Sequence, residues 1–219
     1  MKGPPLDTRA LLHGLYVIVD PAMAGGRDPI GIAREAIAGG ARLIQLRDKA
    51  REKGIQLPLA GELQALCRER GALFFINDHV DLALAAHADG VHLGQKDLPV
   101  AVVRRLVPNT MLIGCSTNNA REALKAEADG ADYVSVGRLF PTGSKQDTRP
   151  ATLDTIRAVK SAVSVPVCAI GGIDESNIDD VIAAGADMVS VIGAVVSADD
   201  VREAASRLAR RFASAGGQR

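Results

Sequence analysis

The chain has 219 residues, of which 47% are hydrophobic, and this is enough for one substantial core. Its 26 lysine and arginine residues balance 26 aspartate and glutamate residues, so no overall charge attracts it to nucleic acid or to an anionic membrane. Aromatic residues make up only 3% and tryptophan is absent, which argues against base-stacking surfaces. We therefore expect one domain that binds small molecules in a local site, with no nucleic-acid or membrane partner.

The three cysteines, Cys67, Cys115 and Cys168, are odd in number and form no CxxC pair. Cys115 and Cys168 lie inside apolar runs, which favours small buried hydrophobic residues over reactive thiols. Residues 1–14 lack the apolar segment of a signal peptide, and no apolar run is long enough to cross a bilayer. These features predict a cytoplasmic protein.

Short β-branched apolar runs alternate along the chain with segments of helical periodicity. The runs predict strands over residues 15–19, 42–46, 73–76, 90–93, 111–114, 133–136, 167–170 and 188–192. The segments between them predict helices that include residues 28–38, 55–70, 119–128, 152–162 and 175–184.

One phrase recurs four times, in which a helical run ends in glycine and an apolar run follows. It reads AIAGGARLIQL at 36–46, AAHADGVHL at 85–93, AEADGADYVSV at 126–136 and IAAGADMVSV at 182–191. Each copy is interpreted as a helix that ends in a C-cap glycine and leads into a buried strand.

Strands that are apolar on both faces and alternate with helices belong to a parallel sheet covered by helices. Eight such units favour a closed (β/α)8 TIM barrel over an open doubly wound sheet, which would more often hold five or six strands. No linker divides residues 1–219. We expect a single barrel domain with a short N-terminal extension over 1–13 and a frayed tail over 214–219.

The loops that follow the strands of such a barrel build its active site, so polar residues at these points are candidates. Arg47 and Lys49 alternate with apolar and acidic neighbours and would share the face of Gln45, an arrangement that suits an anion. The alternative is a solvated charged run that continues to Lys53.

Asn77, Asp78 and Asp97 follow the third and fourth predicted strands and offer oxygen ligands. Magnesium commonly uses one or two carboxylates and leaves its other positions to water and phosphate oxygens. The alternative role of both aspartates is to cap the helices that begin after them.

Glycine-rich segments follow the last three predicted strands. Gly143-Ser144-Lys145 could cradle a phosphate, although the P-loop spacing is absent. Gly171-Gly172 and Ile192-Gly193 stand where barrels often bind phosphate, but the two glycines could equally form a plain strand-to-helix turn. The histidines are dispersed, which disfavours zinc, and Ser116 lacks triad partners and is interpreted as a hydrogen-bonding residue.

With these residues in place, the chain resembles the thiamine phosphate synthase family over nearly its whole length. The most specific matches are Gln45-Leu46-Arg47-Asp48-Lys49, Asn77-Asp78, the run from Val91 to Pro99 (VHLGQKDLP), and Phe140-Pro141-Thr142-Gly143-Ser144-Lys145. The resemblance implies that a pyrimidine pyrophosphate and a thiazole phosphate join to form thiamine phosphate, with loss of pyrophosphate.

The resemblance also implies roles for individual residues. Asp78 and Asp97 would hold Mg2+, and the pyrophosphate would contact Arg47, Lys49, Asn77 and Lys145. Gln45 and Ser116 would contact the pyrimidine, while the thiazole phosphate would meet Thr142, Ser144 and the backbone at Gly172, Ile192 and Gly193. Arg47, Lys49, Lys145 and Ser116 would carry the catalysis of a dissociative reaction.

Two positions depart from the family pattern. Many members carry serine at the position of Gly193 and threonine at that of Ser144. The alternatives are a related thiazole tautomerase, another phosphate-handling barrel enzyme, or a non-catalytic phosphate-binding barrel. The joint presence of Asp78, Asp97, Arg47, Lys49 and Lys145 disfavours the tautomerase, and the two metal carboxylates disfavour the non-catalytic barrel. The sequence leaves open whether the chain forms a homo-oligomer.

Overall fold

All eight predicted strands are present in the computed structural model, which describes residues 11–142 and 149–216. They are β1 (Gly14–Val19), β2 (Leu43–Leu46), β3 (Leu73–Asn77), β4 (Gly90–Leu93), β5 (Leu112–Thr117), β6 (Tyr133–Val136), β7 (Val167–Ile170) and β8 (Met188–Val191). Each strand pairs in parallel with the next, and β1 also pairs with β8, which closes the sheet. The predicted (β/α)8 barrel is confirmed.

Helices connect the strands around the outside of the barrel. They are α1 (Pro29–Ala38), α2 (Lys53–Arg70), α3 (Val80–Ala85), α4 (Val100–Leu106), α5 (Ala120–Ala128), α6 (Leu153–Ala162), α7 (Ile178–Ala183), α8 (Gly193–Val196) and α9 (Val201–Gly216). The predicted starts at Asp28, Asn119 and Thr152 are N-caps, because their side chains accept backbone N–H groups of the first turn.

In all four copies of the recurring glycine phrase a residue with positive φ follows the helix. In the second copy, however, this residue is not the predicted glycine. Gly40, Gly130 and Gly185 have φ angles of 104°, 100° and 103°. In the second copy this position belongs to His87, with φ of 51°, whereas Gly90 lies inside β4. Gly90 serves packing instead, since a Cβ there would lie 2.2 Å from Phe75 Cε1.

Aromatic rings fill the interior of the barrel below its carboxyl end. Tyr16, Phe75 and Tyr133 are fully buried, and the ring centroids of Phe75 and Tyr133 are 5.7 Å apart. A Cβ at Gly114 would lie 2.1 Å from Tyr133 Cζ, so this large ring depends on the absence of a side chain opposite it. These rings close the barrel beneath the loops at its carboxyl end.

Three aspartates repeat a backbone contact at the amino end of the barrel. Each aspartate lies directly before β4, β6 or β8, and its carboxylate accepts a backbone N–H from the preceding strand at 2.8 Å. The pairs are Asp89 with Phe74, Asp132 with Ile113 and Asp187 with Val167. Asp132 and Asp187 also form ion pairs with Arg104 and Lys160. The carboxylates therefore satisfy donors that the strand ladder leaves unpaired.

Helix α9 packs on α1 across the seam between β8 and β1. A Cβ at Gly39 would lie 2.4 Å from the Arg202 carbonyl oxygen, and Arg202 also pairs with Glu35 at 2.8 Å. The helix continues to Gly216, within the tail predicted over 214–219, and residues 217–219 lie outside the described residues. In the described part of the chain, no helix combines the length and apolarity needed to span a membrane.

Candidate active site

The carboxyl ends of the strands open into a cavity of about 1200 Å3. Every predicted site residue within the described ranges lines it, namely Gln45, Arg47, Lys49, Asn77, Asp78, Asp97, Ser116, Thr142, Gly172, Ile192 and Gly193. Ser144 and Lys145 lie outside the described residues. These residues were predicted because each lies just after a strand. They come from separate loops, and the fold brings them together in one site.

A chain of hydrogen bonds crosses the floor of the cavity. The Gln45 side-chain amide donates to the Tyr16 hydroxyl, and the Tyr133 hydroxyl donates to Tyr16 at 3.2 Å. His92 joins Tyr133 through Nδ1 at 2.8 Å and Ser116 Oγ through Nε2 at 2.9 Å. The network links Gln45 to Ser116 and fixes the orientation of both polar side chains.

The floor stays uncharged on the tyrosine side, because burial raises the pKa of both Tyr16 and Tyr133. Gln45 Oε1 is buried and forms no hydrogen bond with any residue in 11–142 or 149–216. A buried acceptor without a donor costs free energy, which a ligand with a suitably placed N–H group would recover.

Ser116 was predicted to follow the fifth strand, but it lies within β5. The strand runs to Thr117 because Ser116 and Thr117 continue the pairing with Ser135 and Val136 of β6. Its side chain points into the barrel from a rigid strand, where His92 Nε2 holds it. The strand holds the Ser116 hydroxyl more firmly than a loop would.

Asp78 and Asp97 face each other across the ends of β3 and β4, within hydrogen-bonding reach. Lys49 forms an ion pair with Asp78. Burial opposes ionisation of Asp78, but the hydrogen bond and charge of Lys49 outweigh it and lower the pKa. Burial and the neighbouring Asp78 carboxylate raise the pKa of Asp97. The two adjacent carboxylates therefore differ, since Asp78 is held in its charged form by Lys49 and ionisation of Asp97 is opposed by its neighbour.

Neither aspartate caps a helix. The residues before α3 and α4 are His79 and Pro99, and neither makes a side-chain capping bond. Asp97 instead accepts the Gly94 backbone N–H at 2.7 Å, and Asp78 has a positive φ of 63°. A left-handed aspartate in a cavity is typical of a backbone held for function. The capping alternative is therefore wrong for both.

The charged run after β2 divides between cavity and solvent. Arg47 has only 15% of its side chain exposed and forms an ion pair with the buried Asp20, while Lys49 reaches Asp78. Lys53 lies outside the cavity and pairs with Asp81 on α3. The solvated alternative is wrong for Arg47 and holds for Lys53, whereas Lys49 lines the cavity with 51% of its side chain exposed.

The two glycines after β7 allow the loop after β6 to approach closely. Gly171 and Gly172 have φ angles of 105° and 64°. A Cβ on Gly172 would lie 2.5 Å from the Pro141 carbonyl oxygen, and the Phe140 N–H donates to Gly171 at 2.9 Å. The glycines thus form more than a plain strand-to-helix turn, because they bring Pro141 and Thr142 to the cavity wall.

Arg27 fastens the loop after β1 to helix α8. Its guanidinium donates to the carbonyl oxygens of Ala24 at 3.1 Å and Ala198 at 2.7 Å, and to that of Val196. These bonds lie behind the wall where Gly193 faces the cavity. The contact holds in place a backbone segment that was predicted to meet a phosphate.

One of the three cysteines, Cys168, lines the cavity. All three are free and buried, as predicted for Cys115 and Cys168. Burial raises the pKa of Cys67 to about 12 and that of Cys115 to about 11, so both remain protonated thiols near neutral pH.

Sequence reasoning missed several residues that support the site. Asp20 directly follows β1 and could have been found by the rule that selected the others. Tyr16, His92 and Tyr133 stand inside apolar strands, where the only signal is a polar or amphipathic side chain on the inward-facing positions. Arg27 gave no signal, because its acceptors are backbone carbonyls about 170 residues away.

Comparisons with known proteins agree with the geometry. The family model described as "Thiamine monophosphate synthase" matches residues 15–195. A thiamine-phosphate synthase of Methanoregula boonei is 49% identical over 202 residues, covering 92% of this chain and 94% of that protein. One from Methanospirillum hungatei is 46% identical over 197 residues, covering 90% and 96%.

Among solved structures, a thiamine phosphate pyrophosphorylase from Pyrococcus furiosus superposes with a TM-score of 0.88. It is 40% identical and the match covers 95% of this chain and 99% of that one. The chain therefore belongs to the thiamine monophosphate synthase family, which confirms the thiamine-phosphate synthase predicted from its motifs.

Proposed function

We propose that this cavity joins 4-amino-5-hydroxymethyl-2-methylpyrimidine pyrophosphate to 4-methyl-5-hydroxyethylthiazole phosphate, giving thiamine phosphate and pyrophosphate. The observation that carries the proposal is that one cavity holds two separate groups of residues. Asp78, Asp97, Arg47 and Lys49 gather at the ends of β2 to β4, and the glycine-rich turns lie at the ends of β7 and β8. Two phosphorylated ligands fit such a division.

The residues present fit Mg2+, which would be held by Asp78 and Asp97. Two carboxylates in mutual contact repel each other unless a cation or a proton lies between them. Bound Mg2+ neutralises charge that develops on a leaving pyrophosphate. Within residues 11–142 and 149–216 no group of three or more histidine, cysteine or acidic side chains could hold a metal. Two carboxylates, completed by pyrophosphate and water oxygens, are what magnesium commonly uses.

The surrounding side chains suit a reaction that begins with loss of pyrophosphate. Arg47, Lys49, Asn77 and Lys145 would bind the pyrophosphate as the methylene carbon–oxygen bond breaks and the electron pair leaves with oxygen. The lone pair of the thiazole nitrogen then forms the carbon–nitrogen bond. No nucleophile from the protein is needed, so the chain contributes charge and alignment.

The floor of the cavity would select the pyrimidine ring. An exocyclic 4-amino group can donate to Gln45 Oε1, the buried acceptor without a partner among the described residues. Ser116 would meet the same ring from β5, held there by His92. Thr142, Ser144 and the backbone at Gly172, Ile192 and Gly193 would receive the thiazole phosphate.

The test is an assay with both substrates, run with Mg2+, with a chelator, and with Mg2+ restored. We expect thiamine phosphate and pyrophosphate to form in equal amounts, formation to stop in chelator, and activity to return with the metal. Full activity in excess chelator would refute the metal assignment alone. No product under any condition would refute the reaction. A cytoplasmic location stays a prediction from sequence, consistent with three free cysteines.

A further inference from the structure

Arg138 is a cavity residue to which neither the sequence motifs nor the proposed reaction gives a role. It follows β6 and lines the cavity beside Gly171 and Gly172. Its backbone is fixed on both sides, since its N–H donates to Arg149 at 3.2 Å and its carbonyl accepts from Ala151 at 2.8 Å. The backbone of Arg138 is therefore held in place in the cavity wall.

The side chain of Arg138 lies against the first glycine of the turn after β7. A Cβ on Gly171 would stand 2.9 Å from Arg138 Cγ and 3.1 Å from its Cβ. The side chain is half-buried, and its aliphatic part covers a turn that presents backbone N–H groups. Arg138 therefore lies on the side of the cavity formed by β6 to β8, opposite Asp78 and Asp97 at the ends of β3 and β4.

Arg138 differs in its internal partners from the other arginines of the cavity wall and from Lys49. Within the described ranges they form ion pairs, which join Arg47 to Asp20, Lys49 to Asp78 and Arg149 to Glu122. The Arg138 guanidinium has no hydrogen bond or ion pair with any residue in 11–142 or 149–216. A half-buried guanidinium in a cavity, without a carboxylate partner among the described residues, can bind an anionic ligand without first breaking an ion pair there.

We propose that Arg138 is a further substrate-binding residue, whose guanidinium N–H groups bind the phosphate of the thiazole substrate. The inference rests on the proposed function, because it takes the phosphate at the ends of β7 and β8 from it. The planar fork suits a phosphate dianion better than a lysine does. Arg138 would then determine the preference for the phosphorylated thiazole over the free thiazole alcohol.

The test compares Arg138→Met, Arg138→Lys and the wild-type enzyme with thiazole phosphate and thiazole alcohol. We expect Arg138→Met to raise the KM for thiazole phosphate by about 10- to 100-fold, the range for losing a charge-assisted hydrogen bond. The KM for the pyrimidine pyrophosphate and the kcat/KM for the alcohol should stay within about twofold. Arg138→Lys should fall between Arg138→Met and wild type, since it keeps the charge and loses the fork.

Arg157→Met is the matched control, because it removes the same charge from the exposed surface of α6. Calorimetric titration with thiazole phosphate alone gives a second measurement that does not depend on turnover. An unchanged affinity in Arg138→Met, or an equal loss for phosphate and alcohol, would overturn the proposal. Wild-type enzyme that forms no thiamine phosphate would instead refute the proposed function, so the two failures are distinguishable.

Discussion

Aspartates at the two ends of the barrel have opposite surroundings. At the amino end, Asp132 accepts the Ile113 N–H at 2.8 Å and pairs with Arg104, so all its partners belong to the chain. At the carboxyl end, Asp78 and Asp97 lie against each other, where Lys49 pairs with Asp78 and the Gly94 N–H donates to Asp97. The first arrangement is satisfied within the chain, and the second is the proposed site of a cation.

The aspartates at the amino end stabilise the barrel, and those at the carboxyl end are placed to bind a ligand. A carboxylate whose partners are backbone donors and a fixed cation stabilises the barrel and leaves nothing to bind a ligand. A carboxylate next to another carboxylate costs stability in the free protein and gains it when a ligand cation arrives. Substitutions at the two ends should therefore change different measurements.

The largest effect is expected at the carboxyl end. Asp78→Asn and Asp97→Asn each keep the side-chain shape, and asparagine tolerates the positive φ of position 78. We expect kcat to fall by at least about 100-fold, because charge on the departing pyrophosphate is no longer neutralised. The melting temperature should stay the same or rise in Asp97→Asn, and should fall only slightly in Asp78→Asn, which loses an ion pair with a half-exposed lysine. Steady-state kinetics and thermal denaturation measure the two quantities.

The matched control at this end is Asp81→Asn, which changes an exposed aspartate paired with Lys53 outside the cavity. It should retain wild-type kcat. If Asp78→Asn and Asp97→Asn were within about threefold of wild type, the carboxylate pair would have no part in catalysis.

A smaller effect, on stability alone, is expected at the amino end. Asp132→Ala leaves the buried Ile113 N–H without its acceptor and should lower the free energy of unfolding by about 1–3 kcal/mol. Urea denaturation measures the change, and kcat and KM should stay unchanged. Asp129→Ala is the control, since it removes a more exposed pair with Lys125 and should cost less than about 1 kcal/mol. A loss of activity in folded Asp132→Ala would contradict the separation between the two ends.

The smallest effect is expected from adding a hydroxyl at Gly193. Gly193 has no positive φ, and a Cβ there would meet only Met23 Cε at 3.7 Å and Ser197 Oγ at 4.0 Å, which are ordinary contacts. Gly193→Ser should lower the KM for thiazole phosphate by about threefold to tenfold through one more hydrogen bond. The KM for the pyrimidine pyrophosphate should not change.

A variant at Gly172 should have the opposite effect to Gly193→Ser. Gly172→Ala should weaken thiazole phosphate binding, because the residue has a φ of 64° and its new Cβ would lie 2.5 Å from the Pro141 carbonyl oxygen. An unchanged or higher KM in Gly193→Ser would show that position 193 needs glycine for a reason other than its conformation.

The sequence predicted the strands well because each is a short apolar run between polar loops, and a closed barrel buries both strand faces. It also selected the cavity residues, since the loops after parallel strands converge wherever the sheet closes. It misplaced the left-handed position at His87, because glycine is only the commonest residue there. It missed the network through Tyr16, His92 and Tyr133, since side-chain contacts between distant strands have no local signal.

The seam between β8 and β1 has a consequence for the order in which the chain folds. It is the one neighbouring pair of strands not joined by a connection, and Arg27, Glu35 and Gly39 make contacts there with residues 196–205. During synthesis, β1 must therefore leave the ribosome long before its partner exists. Until β8 emerges, the growing sheet has two unpaired edges that can pair with other chains. We expect nascent chains that stop before residue 188 to bind chaperones, and complete chains to be released once the ring closes.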